Sequence, residues 1–332
     1  MKKVLVSSML ILGGLFSACS GFLDEDPKSK IPEEEAYKSE KLVYVNTIAT
    51  IYTSFGNRLY GSTDNVHTLQ EFSSDAWILP GRQGDWVDGG KWQSLFLHNY
   101  GPGNATIKST WNALYTIIGN CNTSIDNLET FIQAGGESYL QDYQYEARAV
   151  RAILYYHLVD LFGRVPLVTS SKTVMADVNQ SSRSEVYQFI VDELTDCIPH
   201  LPSGKCQNMG KYYGRVTKAV GYMAMAKVRM GQSGDAEVNE IRDRVQAGQK
   251  SNVTLQDILD ERMLEFSYEG MRRQDQIRFG TYTEPTTDRY AGVHHNVATG
   301  DYVVDNTGFT TVFPIPTSVL ELNTKLTQNP GY

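Results

Sequence analysis

Apolar positions recur at helical spacing along most of the chain, and strand-like alternation is scarce. Val45, Ile48 and Tyr52 carry a first helical stretch, expected from Ile31 to Phe55, with Pro32 suited to its opening turn. Glu33, Glu34 and Glu35 complement the positive end of that helix. Trp111, Leu114, Tyr115, Ile118, Ile125 and Leu128 predict a second helix from Ile107 to Phe131, ended by Gly135-Gly136. Tyr139, Tyr143, Ala147, Val150, Leu154, Leu158 and Leu161 predict a third, from Ser138 to Leu161, so these two make a hairpin. A second pair is expected with Ser182 or Ser184 capping a helix through Leu201 and Thr217 opening another that reaches Met230. Ala219, Ala224 and Ala226 let those two approach closely. A last helix is expected from Leu255 to Phe279, and the remaining residues, rich in Thr, Gly, Asn and Pro, read as irregular.

The fold class is therefore mainly α. Paired antiparallel helices of this length look like degenerate tetratricopeptide hairpins, although the consensus of that repeat is absent. Residues 56–104 interrupt the helical pattern. They are glycine-rich, contain Pro80 and Pro102 and hold three of the chain's 4 tryptophans, which predicts a long structured loop excursion.

The N-terminus has a different character. Lys2 and Lys3 precede an apolar run from Val4 to Phe16, too short to span a bilayer, which predicts a signal peptide over residues 1–18. Small residues before Cys19 make its end resemble a lipobox, where the cysteine is acylated and becomes the new N-terminus; the alternative is an ordinary leader with a chance cysteine. Residues 19–30 read as a lipidated, flexible tether. Its acids Asp24, Glu25 and Asp26 resemble the surface-export signal of Bacteroidetes lipoproteins, whereas a merely solvated linker would leave the protein facing the periplasm. Each buried CH2 of an acyl chain contributes about 0.8 kcal/mol, so an acylated Cys19 anchors the chain without a transmembrane helix.

Loss of Lys2 and Lys3 with the leader takes the formal charge from −8 to −10, which disfavours nucleic acid as a partner. Cys121, Cys197 and Cys206 then remain, an odd set without CxxC spacing that signals neither a disulfide scaffold nor a zinc site, though Cys197 and Cys206 could bridge locally. His294-His295 is the one adjacent histidine pair, and neighbouring side chains point apart, so no metal site follows. No GxSxG, HExxH, P-loop or dinucleotide fingerprint occurs, and no cofactor is implied.

Four segments in order carry a family resemblance. YEARAVRAILYYHLVDLFGRVPLV at 145–168 is similar to the SusD/RagB pattern of an alanine- and arginine-rich helix ending in a Phe-Gly turn before proline. LDERMLEFSYEGMRRQDQIRFG at 259–280 resembles that family's ERxxEFxxEGxRxxD signature, with Glu261, Arg262, Glu265, Phe266, Glu269, Gly270, Arg272 and Asp275 in place. FPIP at 313–316 and QNPGY at the C-terminus match its closing elements. With the lipoprotein start, the chain is identified as a member of the SusD/RagB family, arranged as an N-terminal SusD-like helical region over 31–234 and a C-terminal RagB/SusD region over 235–332.

Physically, the second signature reads as a packing and salt-bridge helix. Glu261, Glu265 and Glu269 share one helical face beside Arg262, Arg272 and Arg273, while Leu264, Phe266 and Tyr268 supply apolar contacts, Leu264 and Phe266 facing the core. Glycoside hydrolysis needs an acid and a base or nucleophile across a sugar, and stacked glutamates beside arginines suit neither role, so the chain is read as no enzyme. The acids of this helix are the expected partners of Arg272 and Arg273.

The resemblance implies an outer-membrane, cell-surface lipoprotein that captures oligo- or polysaccharide for a partner SusC-like TonB-dependent transporter. The alternative is a helical-repeat scaffold that binds protein or peptide only. A glycan site is expected in the loop excursion, on Trp77, Trp86, Trp92 and Tyr100 with Asp75, Arg82 and Asn104, because sugars present an apolar C–H face to a ring and hydroxyl edges to polar groups. The competing reading is that the tryptophans only pin a long loop to the helices. Members of the family are generally longer between Met230 and the RVQAG segment, so GQSGDAEVNEIRDRVQAG here leaves either a face built mainly from residues 75–104 or a scaffold that binds weakly.

Overall fold

Asn104 closes the loop excursion and opens the longest helix, its side-chain oxygen accepting from the backbone N–H groups of Thr106 at 3.0 Å and Ile107 at 3.2 Å. The computed structural model describes residues 37–79, 85–204, 208–229, 254–265, 269–284, 293–295, 302–305 and 307–332. The chain divides at Val43: residues 37–43 turn into the start of helix α1 (Glu40–Asn46), and Tyr44–Tyr332 form one unit. The unit continues through α2 (Ile48–Phe55), α3 (Val66–Phe72), α4 (Lys91–Phe96), α5 (Ala105–Gln133), α6 (Tyr139–Phe162), α7 (Arg183–Cys197), α8 (Lys218–Arg229), α9 (Leu255–Glu265), α10 (Arg272–Phe279) and α11 (Thr317–Leu322). The strands are short: β1 (Val165–Pro166) pairs antiparallel with β2 (Gln180–Ser181), and β3 (Val293–His295) with β4 (Tyr302–Val304).

The expected α5–α6 hairpin forms the centre of the core. Ile107, Trp111, Leu114, Ile118 and Leu128 on α5 and Tyr143, Ala147, Val150, Leu154, Leu158 and Leu161 on α6 are all buried. α7 packs on α6, opened by a capping box in which Ser182 and Glu185 satisfy each other's backbone N–H. That helix stops at Cys197 rather than Leu201, because Pro199 turns the end into a 3-10 segment, Ile198–His200.

Buried arginines stitch the layers. Arg151 donates to Asn122 of α5 at 2.8 Å, to the Thr169 carbonyl at 2.8 Å and to Glu193 of α7 at 2.7 Å. Arg215 pairs with Glu146 of α6, which also accepts from the Tyr52 hydroxyl of α2 at 2.6 Å. Each charge is met by several partners, as burial demands.

Several expectations change. The first helical stretch is two helices that meet at buried Thr47, and its residues 31–36 lie outside the described set. The loop excursion contains two helices of its own, α3 and α4. The helix expected from Leu255 to Phe279 is broken into α9 and α10, because Gly270 sits in the left-handed region at φ 71°. Glu269 therefore lies in a turn rather than in line with Glu261 and Glu265. Leu264 is 75% exposed, not in the core, and Phe266 lies outside the described residues. Arg272 pairs with Asp75 and Arg273 with Asp160, instead of the glutamates of the signature. Cys197 is a free buried thiol pushed up to about 12 by burial, and Cys206 is not among the described residues.

The closing elements dock at the end of α6. Phe313 N–H donates to the Leu161 carbonyl at 2.7 Å, and the Asn329 amide donates to the carbonyls of Phe162 at 2.9 Å and Phe313 at 2.8 Å. Gly331 is required there: its φ is 92°, and a Cβ would lie 2.4 Å from the Phe309 ring. Asp305 organises the preceding turn, accepting from Thr307, Phe309 and Thr310. Burial opposes its charge, but these bonds outweigh that and hold its pKa below 3.8. A depressed carboxyl pKa adds stability that is present above the unfolded value, about 4, and lost as pH falls through the folded one. In thermal melts below about pH 4, Asp305→Asn should therefore lose less stability per pH unit than the wild type. Parallel acid limbs for the two proteins would contradict this.

Candidate functional site

Two arms of the loop excursion lead to the candidate site. The first leaves α3, whose N-cap Asn65 accepts from Thr68 N–H at 2.9 Å and whose residues Leu69, Gln70 and Glu71 are buried. Glu71 accepts the backbone N–H of Gly270, and Gln70 donates to Asp160 of α6 at 2.6 Å. Asp75 follows, held by a bidentate pair with Arg272 at 2.6 and 2.7 Å while its own N–H donates to Gln276 at 3.2 Å. The arm is thus bolted to α10 just before Trp77 and Ile78, which are 41% and 51% exposed.

The second arm runs from Asp85 into α4. Trp86 and Asp88 adopt left-handed φ of 56° and 41°, followed by Gly89 and Gly90 at 68° and 82°. Non-glycine residues occupy that region at a cost on the order of 1–3 kcal/mol each, and such strain gathers at binding sites. The turn leaves the Trp86 indole 53% exposed. What holds the arm is Trp92 one helical turn on, 2% exposed, packed edge-on to Phe72 at 5.8 Å and donating its indole N–H to Asp88 at 2.7 Å. The Lys91 ammonium lies 4.1 Å from the Trp92 ring centroid and pairs with Asp64 at 3.0 Å.

The seven sequence-predicted glycan residues separate accordingly. Trp77 and Trp86 present rings to solvent. Trp92 is buried and pins the loop. Tyr100 is also interior, 2% exposed, with its hydroxyl donating to the Thr310 carbonyl at 3.0 Å and its ring 4.9 Å from Phe313. Asn104 is occupied as the α5 cap and in donating to Ser94 at 3.0 Å, and Asp75 is occupied by Arg272. Arg82 lies outside the described residues. The spacing of Trp92, Leu95 and Phe96, at i, i+3 and i+4, was a core signal legible in the sequence.

An exposed indole face is chemically suited to lie against the C–H face of a pyranose, and Asp85, exposed beside Trp86, offers a hydrogen-bond acceptor. Burial raises the pKa of Glu71, a fully buried side chain that accepts the backbone N–H of Gly270. Among the described residues no group of three or more His, Cys, Asp or Glu is placed to hold a metal ion, and no helix is long and apolar enough to cross a membrane.

Residues 21–230 match the family model described as starch-binding associating with outer membrane, SusD-like, and residues 224–332 match that of the SusD family. SusD-like protein P25 of Formosa agariphila is 26% identical over 64% of this chain, and the starch-binding protein SusD of Bacteroides thetaiotaomicron 34% identical over 34% of it. The matched stretches span 40% and 20% of those proteins, so the chain spans less than half the length of these curated relatives. In fold it is similar to surface glycan-binding protein A from B. thetaiotaomicron in complex with laminarihexaose, at a TM-score of 0.66 and 14% identity, covering 87% of this chain and 99% of that one.

Proposed function

Since this chain belongs to the SusD/RagB family, we propose that it captures oligo- or polysaccharide on the Trp77 and Trp86 face and passes it to a TonB-dependent transporter of the SusC type. It does no covalent chemistry on the glycan. The observation that carries this reading is that two tryptophans of the loop are exposed while the third is buried as its support. Relatives point the same way: one is named for starch binding, and one structural relative was solved with laminarihexaose. The binding face is the reduced one, built mainly from residues 75–104.

Acylation of Cys19 anchors the protein in the outer membrane, facing the cell exterior, with residues 19–30 as tether. Cys19→Ala should move the protein from the membrane to the soluble fraction; continued detergent-phase partitioning of the variant would refute the anchor.

The competing reading is a helical scaffold that binds only protein or peptide, favoured by Tyr213, Tyr222 and Met223, which are all more than half exposed near α8. Affinity gels loaded with neutral polysaccharides separate the two, using the soluble chain from Ser20 onward. Retardation by at least one glycan is expected. Unretarded migration on starch, laminarin and other neutral glucans, together with capture of a peptide ligand, would favour the scaffold.

A further inference from the structure

We propose that Gln93 is the positioning residue of the aromatic face, fixing the spacing of the two arms that carry Trp77 and Trp86; this rests on the reading of that face as the glycan site. Gln93 stands on α4 next to Trp92, Leu95 and Phe96, which are buried and make its short helix a fixed post. Its Nε2 donates to the Leu79 carbonyl at 2.9 Å on the first arm and lies 3.5 Å from the Trp86 carbonyl on the second. A primary amide has two N–H donors, so one side chain can serve both carbonyls. Leu79 is two residues from Trp77, and Trp86 is itself a ring-bearing residue, so this bridge acts on the backbone beneath both indoles.

The need for such a bridge comes from the backbone. Trp86 and Asp88 are held at positive φ, and residues there revert unless the surroundings over-determine them. Trp92 fixes Asp88 through its indole N–H, and Gly90 N–H closes the turn on the Val87 carbonyl at 2.6 Å. Neither contact reaches the first arm. Gln93 hydrogen-bonds to the backbone of both arms, and a platform of two rings binds a sugar chain more tightly when their separation is set before binding.

The test uses Gln93→Met, which keeps the stem and removes both donors, and Gln93→Glu, which keeps the shape and reverses the polarity. Both are measured against the wild type by titration with the polysaccharide that most retards it in affinity gels, and by fluorine NMR of protein labelled with 5-fluorotryptophan. Resonances are assigned by single Trp→Phe changes. Affinity should fall roughly tenfold in both variants, about the worth of one net hydrogen bond. The Trp77 and Trp86 resonances should shift or broaden while that of buried Trp111 stays in place. Unmoved Trp77 and Trp86 resonances overturn the proposal whatever the affinity does. Moved resonances in a protein that binds no glycan uphold the positioning role and overturn the glycan reading instead. Loss of affinity with all four resonances displaced, Trp111 included, indicates general loosening of the fold and overturns the specific role.

Discussion

Replacing Trp92 by alanine should lower stability by about 3 to 5 kcal/mol, as for other fully buried large aromatics. The ring is almost wholly enclosed, and it packs against Phe72 of α3 and beneath the Lys91 ammonium. Its removal leaves a void between α3 and α4 and frees Asp88, whose strained backbone the indole N–H holds. Trp92→Phe should cost less than Trp92→Ala, because a six-membered ring still fills part of the site while the indole N–H bond, about 1 kcal/mol, and some ring volume are lost. Glycan affinity of Trp92→Ala should fall with the loss of ordered loop, visible as a lower thermal midpoint by circular dichroism. A midpoint equal to the wild type's would show that the loop is held by something else.

The second large effect concerns Arg273. Its side chain is fully buried, with the guanidinium 5.5 Å from the Tyr282 ring centroid and 4.9 Å from that of Phe313. One Nη donates to the Thr311 carbonyl at 2.6 Å, and the other faces Asp160 at 3.4 Å. It therefore joins α10, α6 and the closing segment in one place. Arg273→Ala should cost about 3 to 5 kcal/mol, because the partly buried Asp160 carboxylate loses its cation and two rings lose their filler. Arg273→Lys should recover little, since an ammonium cannot lie flat between two rings while reaching a carbonyl and a carboxylate. Arg273→Met should be milder than alanine: it fills the space, and Asp160 keeps the amides of Gln70 and Gln274. Urea midpoints rank the three. Equal midpoints for wild type and Arg273→Ala would contradict the assignment of this residue to the core.

How far the sequence reveals this architecture depends on where each instruction lies. The α5–α6 hairpin is legible because its apolar rows, its Gly-Gly turn and its buried faces are local properties of residues 105–162. The break between α9 and α10 is not, because the N–H of Gly270 is satisfied by Glu71, 199 residues away in the chain. The same holds for Arg272 and Arg273, whose partners Asp75 and Asp160 come from distant segments; helical spacing pointed to nearby glutamates instead. In the candidate site, residue type alone did not separate buried from exposed aromatic side chains. Trp86 and Trp92 are the same side chain six residues apart, and what separates them is that one sits on a left-handed turn and the other on the inner face of α4. Asn104 read as a sugar-binding amide, though an Asn directly before a helical row is as much a cap signal.

Glycan capture on this face is probed by Trp86→Ala. The indole is more than half exposed, so its loss should leave the thermal midpoint within about 1 °C, in keeping with the small effects of surface substitutions. Alanine at the same φ of 56° adds no strain beyond what the turn already carries. Glycan affinity, titrated by calorimetry on the same sample, should weaken by about 1 to 4 kcal/mol, since a few aromatic anchors dominate small interfaces. A Trp86→Ala protein that keeps both its melting temperature and its full affinity would contradict the assignment of this face to glycan capture.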